Sequence, residues 1–123
     1  MNYFLDNRTV LIVDDDRGCL GYAAACLQDK SFMIVKAEDG VEGLKKFNEF
    51  HPDLILTDIQ MPIVNGLELI AAVRKRDAAV KIIAVSSEKY FLENALECGA
   101  NDALVKPFMK QDLCDLIDDL LQG

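Results

Sequence analysis

Five short apolar segments recur along the chain, and they constrain its fold more than any other feature. They read VLIV (10–13), FMIV (32–35), LILT (54–57), IIAV (82–85) and ALV (103–105). Within each segment the apolar residues are largely consecutive rather than alternating, which is typical of strands that are buried on both faces. Each segment is therefore predicted to be a strand of a sheet that is covered on both sides.

The intervals between these segments have the periodicity of amphipathic helices. Near the end of the chain the apolar residues are spaced i, i+3, i+4, i+7 and i+8, namely Leu113, Leu116, Ile117, Leu120 and Leu121. Similar stripes mark the first and fourth intervals, namely Leu20, Ala23, Ala24 and Leu27, and Leu92, Ala95, Leu96 and Gly99. Asp16 is predicted to cap the first helix, and Asp39 with Glu42 predicts a capping box at the start of the second.

Five strand–helix units with short connections favour one arrangement, a parallel sheet with helices on both faces and right-handed crossovers. A length of 123 residues suits one domain with a substantial core. No linker, internal repeat or low-complexity tract divides the sequence. The predicted fold class is therefore α/β, with residues 1–123 forming a single domain.

The charge of the chain limits the kinds of partner that it can bind. A net charge of −8 disfavours direct contact with nucleic acid, whose phosphates would repel the domain. It suits a basic protein partner or a bound cation, although many acidic domains are simply soluble. No apolar run approaches the roughly 20 residues of a membrane span, and the start, MNYFLDNRTV, lacks a signal-peptide pattern. We expect no membrane association and a cytoplasmic location.

The cysteines give little support for a metal or disulfide framework. Cys19, Cys26, Cys98 and Cys114 form no CxxC pair, and the single histidine, His51, is distant from all of them in sequence. Each cysteine falls in a segment with helical periodicity. They are predicted to be buried or half-buried free thiols.

Polar residues follow four of the predicted strands. Asp14 and Asp15 come after the first strand, Asp58 after the third, Ser86 after the fourth and Lys106 after the fifth. Taken singly, each has an ordinary structural explanation as a helix cap, a turn residue or a solvated charge. Because the carboxyl ends of parallel strands meet at one edge of a sheet, we expect these side chains to converge there.

Three carboxylates brought together would repel one another, and one would hold a proton unless a cation neutralised them. Mg²⁺ prefers oxygen ligands, takes one or two carboxylates and fills its remaining positions with water and phosphate. With such an ion present, Asp58 would stay ionised and available as a nucleophile. Lys106 and Ser86 would then stabilise phosphoryl oxygens, so this group of residues indicates acceptance of a phosphoryl group.

Four motifs make the chain resemble the response-regulator receiver domains of two-component signalling. They are LIVDDD, LILTDIQMPIVNG, IIAVSSE and ALVKPF, and the similarity covers nearly all of residues 8–122. The resemblance implies a flavodoxin-like, doubly wound fold with strand order 2-1-3-4-5. It also implies that Asp58 is the phosphoacceptor, and that Mg²⁺ is held by Asp14, Asp15 and Asp58 with the backbone carbonyl of Gln60.

The same resemblance assigns the phosphate-binding residues. It implies that Ser86 supplies a hydroxyl that moves toward the phosphoryl group, beside the backbone amide of Ser87, and that Gln60 also lies against the phosphate. Lys106 matches the phosphate-binding lysine, and its bond to Pro107 is expected to be cis. In this family the phosphoryl group comes from a phosphohistidine on a sensor kinase or phosphotransfer protein.

One position departs from the usual pattern of the family. The fifth strand usually carries an aromatic residue that rotates inward on activation, and here that position is Ala103. Tyr90 or Phe91, after the fourth strand, are candidates to replace it. The output face is expected to comprise the fourth helix, fifth strand and fifth helix, and its downstream target is left open.

Two other functions remain as alternatives. A small hydrolase with an aspartyl-phosphate intermediate would resemble haloacid-dehalogenase-like phosphatases, which have a second Asp two residues after the nucleophile. That position is Gln60, whose amide cannot transfer protons, so we expect a phosphoacceptor that hydrolyses slowly rather than a turnover enzyme. The other alternative is a flavodoxin-like cofactor binder or phosphorylation-independent docking module, but DDDRGC offers no glycine-rich phosphate loop.

Overall fold

The structure, a computed structural model, describes residues 8–122. Residues 1–7, on which part of the signal-peptide interpretation depends, and residue 123 lie outside the described residues. Strands and helices alternate throughout: β1 (Thr9–Val13), α1 (Arg17–Cys26), β2 (Met33–Ala37), α2 (Gly40–Phe50), β3 (Leu54–Asp58), α3 (Gly66–Arg76), β4 (Lys81–Ser86), α4 (Lys89–Cys98), β5 (Asp102–Val105) and α5 (Lys110–Leu121). None of these helices is long and apolar enough to cross a bilayer.

The five strands form one parallel sheet in the order β2-β1-β3-β4-β5, as predicted. Its two faces bury separate apolar clusters. One cluster includes Leu69 from α3 and Leu92 from α4, and the other includes Leu20 from α1 and Leu113 from α5. The helices therefore cover both faces, which explains why the strands lack an alternating polar face.

The central strands supply side chains to both clusters. Leu11 and Val13 of β1 point into one cluster, whereas Val10 and Ile12 point into the other, and none is more than 1% exposed. Burying such a side chain fully stabilises the fold by about 1.5–3 kcal/mol. β2 begins and ends later than its apolar run predicts, because its pairing with β1 starts at Met33 opposite Thr9.

The predicted helix caps are partly confirmed. Asp16 caps α1, and its side chain accepts hydrogen bonds from the backbone N–H groups of Gly18 and Cys19. Asp39 caps α2 and accepts from the N–H of Glu42. The predicted reciprocal box is wrong, however, because Asp39 is extended and the Glu42 carboxylate instead accepts from the N–H of Glu38, one residue earlier.

A complete capping box occurs at α3, where it was not predicted. Asn65 accepts from the backbone N–H of Glu68 at 2.9 Å, and the Glu68 carboxylate accepts from the N–H of Asn65 at 3.1 Å. These bonds fix the residue at which α3 begins, immediately after the loop that follows β3.

All four cysteines lie in helices and are free thiols. Cys26 and Cys114 are buried and Cys19 is half-buried, as predicted. Cys98 is exposed, so the prediction is wrong there. It lies in the last turn of α4, away from the stripe of Leu92 and Ala95 that packs into the core.

Arg74 connects several elements at the opposite end of the sheet from the predicted site. Its guanidinium donates to the backbone carbonyls of Gly99, Asp77 and Val80 at 2.9, 3.2 and 2.7 Å. It also donates to the side chain of Asn101 at 2.8 Å, and that side chain in turn accepts from the backbone of β4. One arginine thus joins α3, the loop after it, the end of α4 and the approach to β5.

Replacing Arg74 by methionine is expected to lower the free energy of unfolding by about 2 kcal/mol, because partly buried carbonyls lose a charged donor. Urea denaturation followed by circular dichroism measures this. Arg76→Met is the matched control, since Arg76 is exposed and, within residues 8–122, donates to the carbonyl of Ala72 alone. Equal effects of the two substitutions would contradict a special role for Arg74.

Candidate functional site

The polar residues singled out in the sequence meet at the carboxyl edge of the sheet. Asp14 follows β1, Asp58 ends β3, Ser86 ends β4 and Lys106 follows β5. Because β1 and β3 are neighbours in the sheet, the carboxylates that follow them approach one another. The predicted convergence is confirmed for this group.

The three acidic side chains form a compact cluster. One carboxylate oxygen from each of Asp14, Asp15 and Asp58 lies within 4.8 Å of the others. Asp14 and Asp58 are only 6% and 7% exposed, whereas Asp15 faces solvent. Asp14 is also held locally, since its Oδ1 accepts from the backbone N–H of Asp16 at 2.9 Å.

Lys106 reaches this cluster from β5. Its Nζ lies 2.9 Å from Oδ2 of Asp14 and 3.4 Å from Oδ1 of Asp58. Burial by itself lowers the pKa of Lys106, but the hydrogen bond to Asp14 and the charges of both carboxylates outweigh burial and raise the pKa above its ordinary value. Lys106 is therefore a fixed positive charge at the edge of the site.

The charged form of the Asp58 carboxylate is disfavoured when no cation is bound. Burial, and then repulsion from Asp14, raise the pKa of Asp58 to about 6, and Lys106 offsets only part of that rise. If the three carboxylates are all ionised, their summed negative charge exceeds the positive charge of Lys106. A site with this imbalance favours a bound cation.

The donor set fits a magnesium ion. Carboxylate oxygens, two of them on buried residues, are the hard ligands that Mg²⁺ prefers, and no sulfur or imidazole ligand competes in this cluster. Asp14, Asp15 and Asp58 can hold the ion between them. The contribution of the Gln60 carbonyl, on the loop after β3, stays a prediction.

Ser86 contacts both neighbouring loops. Its hydroxyl donates to Oε1 of Gln60 at 3.4 Å and accepts from the backbone N–H of Glu88 at 3.0 Å. The side chain is almost completely buried, whereas Gln60 and Ser87 are exposed. The structure thus places the Ser86 hydroxyl and the Ser87 backbone at the carboxyl edge of the sheet. The hydrogen bond to Gln60 was not predicted.

The backbone of the site is supported by close packing. The N–H of Ile59 donates to the carbonyl of Val85 at 3.1 Å, and the N–H of Gly66 donates to the carbonyl of Ile59 at 2.8 Å. A Cβ at Gly66 would lie 2.3 Å from the Asp58 carbonyl oxygen, so only glycine fits there. The Lys106–Pro107 peptide bond is cis, as predicted.

An apolar cavity of about 650 Å³ opens beside the carboxylates, between α1 and the loop before α5. Its lining includes Cys19, Tyr22, Pro107, Phe108 and Met109. Tyr22 closes one side, since its hydroxyl donates to the Phe108 carbonyl at 2.8 Å and the two rings pack with centroids 5.5 Å apart. Sequence reasoning missed this cavity, because it depends on contacts between residues more than 80 positions apart.

Ala103, at the position of the missing aromatic residue, shares an apolar cluster with one of the two candidate replacements. Ala103 is half-buried and packs against the same apolar cluster as Phe91 of α4. Tyr90 is 69% exposed and contacts Phe91 edge-to-face, with ring centroids 5.5 Å apart. Of the two candidates, Phe91 reaches the core and Tyr90 does not.

Comparison with known proteins agrees with this geometry. The family model described as "Response regulator receiver domain" matches residues 10–118. The chemotaxis protein CheY of Halobacterium salinarum is 33% identical over 116 residues, which cover 93% of this chain and 97% of that protein. The transcriptional regulatory protein PrrA of Mycobacterium tuberculosis is 36% identical over 115 residues, but the chain spans only about half of its length (49%).

Solved structures show the same fold. The chemotaxis protein CheY4 of Vibrio cholerae superimposes with a TM-score of 0.87 at 29% identity, covering 94% of this chain and 99% of that one. The strand order, the acidic cluster at the carboxyl edge and the family match over residues 10–118 lead to one conclusion. The chain belongs to the family of response-regulator receiver domains.

Proposed function

We propose that Asp58 accepts a phosphoryl group from a phosphohistidine and that the chain acts as a phosphorylation switch. The observation that carries this proposal is the buried Asp58 carboxylate, which lies beside Asp14 and in contact with Lys106 at the carboxyl edge of the sheet. A carboxylate oxygen attacks phosphorus, the bond from phosphorus to the imidazole nitrogen breaks, and the nitrogen keeps the electron pair. The other ring nitrogen of the phosphohistidine carries a proton, so the histidine leaves as neutral imidazole.

Each residue of the site has a defined part in this proposal. Asp14, Asp15 and Asp58, with the Gln60 carbonyl, hold Mg²⁺, which when bound offsets negative charge on the carboxylates and phosphoryl oxygens. Lys106 exchanges an ion pair with Asp58 for one with a phosphoryl oxygen. The Ser86 hydroxyl and the Ser87 backbone N–H donate to the remaining oxygens.

The proposed phosphorylated state is a signal rather than a catalytic intermediate. Receiver domains are signalling modules, and the position two residues after the acceptor is Gln60, whose amide cannot act as an acid or base for hydrolysis. The phospho-aspartate is therefore expected to outlast the transfer step. We do not favour the phosphatase alternative for this reason.

The partners follow from the same chemistry. The donor in this proposal is a sensor histidine kinase or a histidine phosphotransfer protein, and the recipient of the signal is a downstream protein rather than nucleic acid or a membrane. Residues 1–123 would act as one receiver domain in the cytoplasm. The output face would comprise α4, β5 and α5, where α5 exposes the acidic residues Asp112, Asp115, Asp118 and Asp119.

Incubation with Mg²⁺ and acetyl phosphate tests the proposal. The intact protein is expected to gain the mass of one phosphoryl group, and the gain should vanish in Asp58→Asn and after chelation of Mg²⁺. Asp53→Asn, at the opposite end of β3, is the matched control and should be phosphorylated normally. A wild-type protein that gains no mass and shows no beryllofluoride complex would rule out the switch.

A further inference from the structure

The Ser86 hydroxyl is already engaged before any phosphoryl group is present. Its proton is directed to Oε1 of Gln60 at 3.4 Å, and its oxygen accepts the N–H of Glu88 at 3.0 Å. Among residues 8–122, its hydrogen bonds do not include Asp58. Ser86 is only 1% exposed, so its hydroxyl cannot replace these hydrogen bonds with bonds to solvent water.

A hydroxyl has one proton to donate, so two acceptors near it compete. In the structure the Ser86 proton is donated to Gln60. After phosphoryl transfer, the competing acceptor would be an oxygen on phosphorylated Asp58. We propose that Gln60 is a positioning residue that holds the Ser86 hydroxyl in the resting protein and thereby weakens binding of a phosphoryl group. This inference rests on the proposed function, since it concerns the regulation of the same site.

The loop after β3 places Gln60 for this role. Ile59 is fixed by its N–H bond to Val85 of β4 and by its carbonyl bond from Gly66. Gln60 follows directly, so its backbone lies beside the end of β4 while its side chain remains exposed. A long, neutral hydrogen bond from the Ser86 hydroxyl to an exposed amide oxygen is weak, which makes the contact easy to release when a stronger acceptor arrives.

The same contact extends to α4. Glu88 is the N-cap residue of α4, and its own side chain makes no capping hydrogen bond. Its backbone N–H is satisfied by the Ser86 oxygen. Holding Ser86 in place therefore also keeps this N–H paired, and withdrawal of the hydroxyl toward a phosphoryl group would leave the start of α4 without that bond.

Beryllofluoride binding to the whole chain in the presence of Mg²⁺ tests the proposal, measured by ¹⁹F NMR titration. Gln60→Leu keeps the size of the side chain but removes the acceptor, and it is expected to tighten binding about two- to fivefold. Gln28→Leu, the same change at an exposed position in the turn after α1, should have no effect. In a Ser86→Ala background, Gln60→Leu should also have no effect, because no hydroxyl is left to hold.

A second measurement needs no phosphate analogue. In the ligand-free protein, Gln60→Leu should shift the amide resonance of Glu88 in the ¹H–¹⁵N spectrum, because Ser86 loses the partner that orients its oxygen. Gln28→Leu should leave that resonance in place. An unmoved Glu88 amide would overturn the proposal whatever the titration shows.

The titration can also contradict the proposed role of Gln60. Unchanged or weaker binding in Gln60→Leu, or an equal gain in the Ser86→Ala background, would show that Gln60 does not act through the hydroxyl and would overturn the proposal. If the wild type binds no beryllofluoride at all, the proposed function fails instead, and the Glu88 amide alone decides whether Gln60 holds Ser86.

Discussion

Replacing Gly66 by alanine is expected to lower the free energy of unfolding by about 3 kcal/mol and to impair phosphorylation of Asp58. The added Cβ would lie 2.3 Å from the Asp58 carbonyl oxygen and 2.7 Å from the Cα of Ile59. Both are backbone atoms at or directly after the end of β3, where Asp58 lies, so relief of the clash must displace that part of the chain. Urea denaturation and the rate of phosphorylation by acetyl phosphate measure the two effects.

Gly21→Ala provides the matched control for this substitution. Gly21 lies within α1, and a Cβ there would meet nothing within 4 Å. Alanine in the interior of a helix is favoured over glycine by about 0.5–1 kcal/mol, so this variant should be slightly more stable and should be phosphorylated normally. If Gly66→Ala were as stable as Gly21→Ala, the tight packing around Asp58 would be refuted.

Removing the charge of Asp58 is expected to stabilise the metal-free protein, and the gain should depend on pH. The folded-state pKa of Asp58 is raised to about 6 by burial and by Asp14, whereas an unfolded aspartate titrates near 3.9. Below about pH 4 both states are protonated, and Asp58 contributes no penalty. As pH rises through 6 the unfolded state ionises first, so stability is lost and the penalty is complete above that pH.

Asp58→Asn removes this penalty because its side chain does not ionise. The free energy of unfolding, measured in urea with a chelator, should match that of wild type near pH 4 and exceed it by up to roughly 3 kcal/mol at pH 7. Asp115→Asn, an exposed change on α5, should alter stability by less than about 0.5 kcal/mol at either pH. A difference that stays constant with pH would contradict a raised pKa at Asp58.

The features that were predictable from the sequence are those with a local signal. Consecutive apolar residues such as Val10 to Val13 indicate a strand buried on both faces, and the parallel arrangement then requires Asp14 and Asp58 to meet. Lys106 could be assigned in the same way because it directly follows a strand. The fold and the acidic cluster therefore followed from short stretches together with one topological rule.

The features that were missed depend on contacts between distant segments. Nothing in the sequence around Arg74 distinguishes it from the exposed Arg76, although its four hydrogen bonds join separate elements. The hydrogen bond from Ser86 to Gln60 spans 26 positions and depends on the path of the loop after β3. The capping box at Asn65 is different, since its N-x-x-E pattern was readable and was overlooked.

Errors at the ends of elements have a different cause. β2 lies at the edge of the sheet, and its limits are set by the hydrogen-bonding register with β1 rather than by its own apolar run. The side-chain reach of Glu42 to Glu38 likewise depends on the extended backbone at Asp39. Local residue preferences do not specify where such an element begins and ends, because they are nearly the same for boundaries that differ by one residue.

The hydrogen bonds of Arg74 have a consequence for the motion of α4. One of them reaches the carboxyl terminus of α4 at the Gly99 carbonyl, and at the opposite terminus the N–H of Glu88 donates to the Ser86 hydroxyl. The bond at Gly99 has a charged donor that lies outside the proposed site, whereas the Ser86 hydroxyl would move toward the phosphoryl group, so the Glu88 end of α4 is the one that would lose its bond. If Asp58 is phosphorylated as proposed, we expect α4 to tilt about its Gly99 end, so that Tyr90 near the Glu88 end moves farther than Cys98.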